Sequence, residues 1–334
     1  MAGQSLIYSN ARVKSMENSL LSSEKITRMA YSDSLSEAIK ILYESNYGGG
    51  YTIDNPYAYG EILRAEEEKV TNFLREAMPD KSGLQTLLKV NDYHNAKAYF
   101  KAKCVKGVEV SNMLLPAGNI DLAVIEEAVQ KQDYAKLQTQ MATGLKELEL
   151  ALAEDNISPR LIDITLDKAM YEDILLACKK ANVKSITKYW RHNIDFINVS
   201  TMLRCKRINA DITFFKENLI AGGEISDYIL ENLYKESYDI LAEKLRYTTI
   251  GEIIAVGVNE AKADKGLTQY EVLWDNYLMN IFKEDRADVF SVAPIAGFFI
   301  AKKIEIKMCR MILTCLKNRA DLQEIKARLR GFYA

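Results

Sequence analysis

Two histidines, two matched aspartates and a run of three glycines are the residues of this chain whose types invite a chemical reading. His94 and His192 are its only histidines. A metal site needs several convergent ligands, and neither an H-x-x-x-H pair nor a cysteine cluster accompanies them. A histidine acting as a base needs a nucleophile and an orienting acid at defined spacing, and none is visible. Both are therefore expected to pack or to sit at helix starts. Asp92 and Asp195 suggest paired carboxylates, but an aspartate ahead of a helix also caps free N–H groups and meets the positive end of the dipole. Capping is the expectation for both. Gly48-Gly49-Gly50 lacks the lysine and Ser/Thr of a G-x-x-x-x-G-K-S/T phosphate loop and reads as a flexible turn. Glu66-Glu67-Glu68 reads as a solvated helix face. Cys104, Cys178, Cys205, Cys309 and Cys315 include no C-x-x-C pair, as expected of free thiols in a reducing compartment.

The elements that must hold these residues are helical. Of 334 residues, only 5 are proline and 16 glycine, which favours long helices. Ile300, Ile304, Met308, Met311, Ile312 and Cys315 recur at steps of three and four, as one helix face does. Ile225, Ile229 and Leu233 repeat that spacing. Breaks are expected at 48–56, 79–83, 116–118, 158–159, 222–223, 251 and 266. With 44 basic against 46 acidic residues, the charge predicts no nucleic-acid partner. No signal peptide pattern opens the chain. The most apolar stretch, Val289–Ala301, is shorter than the roughly 20 residues that span a bilayer, and Pro294 and Gly297 interrupt it.

An internal repeat organises the chain. Asp92-Tyr-His-Asn95 leads to Lys101-Ala-Lys103, and Asp195-Phe-Ile-Asn198 leads to Arg204-Cys-Lys206, at a constant offset of 195 − 92 = 103. Pro56 and Pro159 share that offset. A second block, Asn112 to Ile120, matches Leu219 to Ile225 at 225 − 120 = 105 and Asn18 to Ile26 at 112 − 18 = 94. Basic helix ends recur at Arg12-Val-Lys14, Lys101/Lys103, Arg204/Lys206/Arg207 and Arg310. The expectation is an all-α single domain of three similar helical units, roughly 18–105, 112–208 and 218–312, arranged with pseudo-threefold symmetry and closed by an N-terminal helix at 5–17. Cations at helix C-termini complement the dipole. Gathered by pseudo-symmetry, Arg12, Lys14, Lys101, Lys103, Arg204, Lys206, Arg207 and Arg310 would form a docking surface for an acidic partner.

Three patches carry a family resemblance. They are Tyr8-Ser-Asn-Ala-Arg12-Val-Lys14 leading to Leu20-Leu21, the repeated Asp-x-x-Asn helix, and Pro294-Ile-Ala-Gly-Phe298 through Lys302, Glu305 and Arg310. In that order and spacing the chain resembles the C subunit of the V-type and archaeal-type (A/V) ATPases and ATP synthases, the counterpart of the eukaryotic d subunit. Lys303 stands where the family pattern suggests an acid, and Met308-Cys309 where it suggests a more polar pair. The resemblance implies a funnel of three helical units in the central stalk of the rotor. It also implies a socket between the D and F shaft subunits and the cytoplasmic face of the proteolipid c-ring, with no transmembrane segment of its own. Such a subunit transmits torque for H+ or Na+ transport or for ATP synthesis. It hydrolyses nothing, carries no cofactor or metal, takes no small-molecule substrate, binds no nucleic acid and is not a homo-oligomer by function. The competing reading is a helical-repeat scaffold that binds peptides or helices, although the offsets near one hundred residues exceed the ~34–47 residues of common helical solenoids.

Overall fold

The computed structural model describes residues 6–79, 81–105 and 109–333. The fold is all-α: 71% of it is helical, in 16 α-helices, with no strand among the described residues. Ser5, the first residue of the closing helix expected at 5–17, lies outside them; that helix, α1, runs Leu6–Glu17. The chain divides into two compact units, Met1–Ser82 with Gly266–Ala334, and Gly83–Lys265.

The first unit joins the two ends of the chain. It holds α1, α2 (Ser23–Ala30), α3 (Leu35–Glu44), α4 (Tyr59–Ala77), α14 (Thr268–Lys283), α15 (Ala293–Lys317) and α16 (Leu322–Ala327). Helix α15 is its axis and packs against α1, α4 and α14. The apolar face expected on α15 understates it. Phe298, Phe299, Ile306 and Leu313 are buried as well, so this helix is apolar nearly all round, as an enclosed helix must be. No helix of the described residues is long and apolar enough to cross a membrane.

The second unit holds α5 (Gln85–Cys104), α6 (Leu122–Lys131), α7 (Thr139–Ala153), α8 (Pro159–Ala181), α9 (Lys184–Arg207), α10 (Ile212–Asn218), α11 (Asp227–Leu233), α12 (Tyr238–Leu245) and α13 (Gly251–Lys262). Helix α8 packs against α5, α7 and α9. Pro159 occupies its first turn behind the N-cap Ser158, where a missing N–H costs nothing. Trp190 Nε1 donates to Thr86 Oγ1 (2.9 Å), which places the indole in the core with its one polar atom satisfied.

Several local expectations are corrected. Asp92 and Asp195 lie inside α5 and α9, not ahead of them, and are 1% and 0% exposed. Ile225 precedes α11, whose core contacts are Leu230 and Leu233, while Ile229 is exposed. Glu66 and Glu67 are buried, and only Glu68 faces solvent. Gly48–Gly50 forms a tight turn rather than a loose one: the Gly48 N–H donates to Glu66 Oε2 (2.8 Å).

Candidate docking surfaces and the clamps behind them

The basic residues singled out by the repeat fall into two groups. Four of them are tied up within the molecule at short range. Arg12 pairs with Glu76 (2.9 Å) and lies over the Phe73 ring. Lys101 pairs with Asp163 (2.6 Å) and Lys103 with Glu149 (2.5 Å). Lys206 donates to the carbonyls of Tyr234 and Glu236, both at 2.7 Å, and burial depresses its pKa. Lys14 pairs with Glu17 (2.6 Å), but its side chain remains 61% exposed. Arg204, Arg207 and Arg310 have exposed side chains.

The matched aspartates and asparagines do something the sequence did not announce. Each pair grips a turn from the next block of chain. Asp92 accepts from the N–H groups of Asn119 (3.0 Å) and Ile120 (3.1 Å). Asp195 accepts from Glu224 (3.1 Å) and Ile225 (2.9 Å). One helical turn further on, Asn95 exchanges two hydrogen bonds with the Leu115 backbone: Oδ1 accepts at 2.8 Å and Nδ2 donates at 3.2 Å. Asn198 does the same with Ile220, at 3.0 and 2.8 Å. An amide side chain alone presents both a donor and an acceptor in this spacing. The carboxylates do cap, but across the fold rather than at their own helix start.

These clamps bring backbone so close that a glycine is required. A Cβ on Gly118 would lie 2.4 Å from both Asp92 Oδ1 and the Leu88 carbonyl oxygen, and one on Gly223 would lie 2.1 Å from Asp195 Oδ1. Burial raises the pKa of Asp92, against the opposing pull of the Asn119 side chain and two N–H groups. Burial likewise pushes Asp195 up to about 6, against the N–H groups of Ile225 and Glu224. His94 Nε2 lies 2.8 Å from the Met113 carbonyl oxygen. His192 is buried beside Asp195 (3.6 Å), and burial lowers its pKa.

In the first unit the buried acids of α4 meet the lysines of α15. Lys302 Nζ lies 3.1 Å from Glu66 and 2.7 Å from Glu305, and it donates to the Ser19 carbonyl (2.8 Å). Lys69 also pairs with Glu66 (3.2 Å), and Lys303 pairs with Glu67. Three carboxylates thus face three ammonium groups, which offsets the cost of burying the acids. Lys303, the departure from the family pattern, has its counter-charge here. Periodicity misread Glu66 and Glu67 because their partners lie 236 residues away on another helix.

Open surface of a different kind flanks α8. Two grooves of about 620 and 600 Å3 run along it, and both are lined by Lys168 and Glu172. Leu161 and Ile164 line the first, and Leu175 and Leu176 the second. Among the described residues no three His, Cys, Asp or Glu side chains are grouped to hold a metal ion.

The chain is thus all-α among the described residues, its buried charges grip its own turns, and its grooves are lined by leucine, isoleucine and paired charges. The sequence comparisons give it a family. The description of the ATP synthase (C/AC39) subunit family matches residues 9–328, and the chain belongs to that family, a non-catalytic part of V/A-type rotary ATPases. It is 22% identical to the C subunit of the V-type sodium ATPase of Enterococcus hirae, covering 97% of this chain and 98% of that one. It is 24% identical to the C subunit of the A-type ATP synthase of Pyrococcus abyssi (96% and 88% covered). It is 26% identical to that of Methanosphaera stadtmanae (91% and 82%).

Proposed function

We propose that this chain is the central-stalk socket of a V/A-type rotary ATPase. It joins the D and F shaft subunits to the cytoplasmic face of the proteolipid c-ring and transmits torque between them, as a peripheral part of a membrane-bound complex. The observation that carries the reading is the full-length match to the C/AC39 family, with nearly the whole of this chain and of its E. hirae relative aligned. The funnel of three helical units around a pseudo-threefold axis belongs to the same reading. A socket has to resist shear, and within each unit helix packing fastened by buried polar clamps supplies stiffness.

The α8 grooves support a place for the shaft. An amphipathic helix laid against Leu161, Ile164, Leu175 and Leu176 would bury apolar surface at both ends of α8, with Lys168 and Glu172 between them to set register. Lys14, Arg204, Arg207 and Arg310 are the candidate contacts to an acidic partner. The choice of H+ or Na+ lies with the ring, and ATP chemistry with the A and B subunits. The test is co-purification: the chain is expected to retain both a D–F shaft and a detergent-solubilised proteolipid ring at low salt, and to show no ATP turnover alone. Turnover by the isolated chain, or failure to hold the shaft and the ring, overturns the reading.

A further inference from the structure

The third matching turn, Leu20 to Ile26, is held differently from the other two. The offsets of 94 and 105 make Leu21, Leu115 and Ile220 equivalent, and they make Glu24 equivalent to Gly118 and Gly223. The Leu21 N–H donates to Glu305 Oε2 (2.5 Å), as Leu115 donates to Asn95 and Ile220 to Asn198. Glu305 on α15 thus fills the asparagine's place. Three residues earlier, where α5 and α9 carry Asp92 and Asp195, α15 carries Lys302.

A lysine cannot accept the two N–H groups that an aspartate holds in the other clamps. Those groups belong to Asn119 and Ile120 in the second turn and correspond to Lys25 and Ile26 in the first. Here the turn caps itself. The Lys25 N–H donates to Ser22 Oγ (3.3 Å) and the Ile26 N–H to the Ser22 carbonyl (3.1 Å), because Ser22 is the N-cap of α2. Position 302 is thereby released from capping, and Lys302 turns to Ser19 O, Glu66 and Glu305. Lys302 stands where the other clamps carry a carboxylate, and Glu24 has an exposed side chain.

We propose that Glu24 assigns the first turn to α15 and bars it from the clamps on α5 and α9, with Ser22 and Lys302 completing the address. Three turns of similar sequence and three similar helices offer nine pairings. The two aspartate clamps reject any residue with a Cβ at the glycine position, since that carbon would meet the carboxylate at 2.1–2.4 Å. The first turn alone carries such a residue. The mark acts during folding, when the first turn must pass over α5 and α9, both nearer in sequence, to reach a helix 284 residues away.

The test compares six full-length variants, by the yield of native monomer on refolding from urea and by the thermal midpoint. Glu24→Ala keeps the Cβ and is expected to refold like the parent. Glu24→Gly is expected to lose at least half the yield, while its native thermal midpoint falls no further than that of the neighbouring control Ser23→Gly. Gly223→Ala is expected to lower the midpoint of the folded protein by several degrees. Adding Asp195→Ala is expected to make the combined loss smaller than the sum of the two single losses, since the Cβ then has no carboxylate to meet. Equal yields for Glu24→Gly, Glu24→Ala and Ser23→Gly would overturn the proposal. So would strict additivity of Gly223→Ala and Asp195→Ala.

Discussion

Replacing Lys302 by methionine isolates the electrostatics of the α4–α15 joint. Methionine keeps most of the side-chain length and volume, so little cavity is created. What is lost is one ammonium group that lies between two carboxylates and a carbonyl while only 1% exposed. Glu66 keeps Lys69 and the Gly48 N–H, whereas Glu305 keeps the Leu21 N–H and, among the described residues, loses its one ammonium partner. Stranding a buried charge by removing its partner costs roughly 3–5 kcal/mol, and at about 2 °C per kcal/mol, the low end for larger domains, the melting midpoint should fall by roughly 6–10 °C. The deficit carries a pH signature. Burial already raises the pKa of Glu305, and Lys302 opposes that rise. Without the lysine the folded-state pKa climbs further above its unfolded value. A carboxyl raised in this way binds its proton more tightly when folded, so its penalty is absent at low pH and grows as pH rises through the folded pKa. Urea unfolding of parent and variant at pH 5 and pH 8 should therefore show a larger gap at pH 8. A gap below about 1 kcal/mol at both pH values, or one independent of pH, would refute the claim that Lys302 neutralises buried carboxylates.

The basic helix ends separate by the same logic. Lys206→Glu should lower the thermal midpoint by several degrees, because it removes two carbonyl contacts and buries a repelled charge, while reversing Arg207 and Arg310 together should leave the midpoint in place and weaken shaft or ring binding in a salt-dependent way. Asp195, with its pKa pushed up to about 6, adds a stability contribution that is full near pH 4 and is lost as pH rises past 6; the difference in unfolding free energy between the parent and Asp195→Asn should shrink across that window, and a flat difference would exclude the shift. The thiols should be silent in the native protein. Cys178, Cys205, Cys309 and Cys315 are buried, with Cys178 pushed up to about 11, so an aromatic disulfide reagent at pH 8 should react with at most the half-buried Cys104 until urea is added.

The pattern of apolar residues at steps of three and four was enough to read an all-α chain, and the turn residues placed the breaks at 48–56, 116–118, 158–159 and 222–223 between or at the ends of real helices. Both signals are local, since a helix and its caps draw on residues within a turn of each other. The matched Asp-x-x-Asn segments and the blocks at Leu20, Leu114 and Leu219 were likewise visible, because repetition needs only the sequence compared with itself. The purpose of those residues was not visible. Asp92 and Asp195 read as caps for their own helices, because sequence says that a carboxylate wants N–H groups but not which ones. Only the fold brings Asn119 and Glu224 to them, 27 and 29 residues further along the chain. Glu66 and Glu67 looked solvated because three glutamates in a row have no local reason to be buried. Their reason is a pair of lysines on α15, and burying a charge becomes tolerable once its partner arrives with it. Sequence alone therefore determined where the helices are and that the chain repeats itself. Tertiary structure decided which turn each helix grips, because those choices rest on contacts between distant residues whose geometry no local pattern encodes.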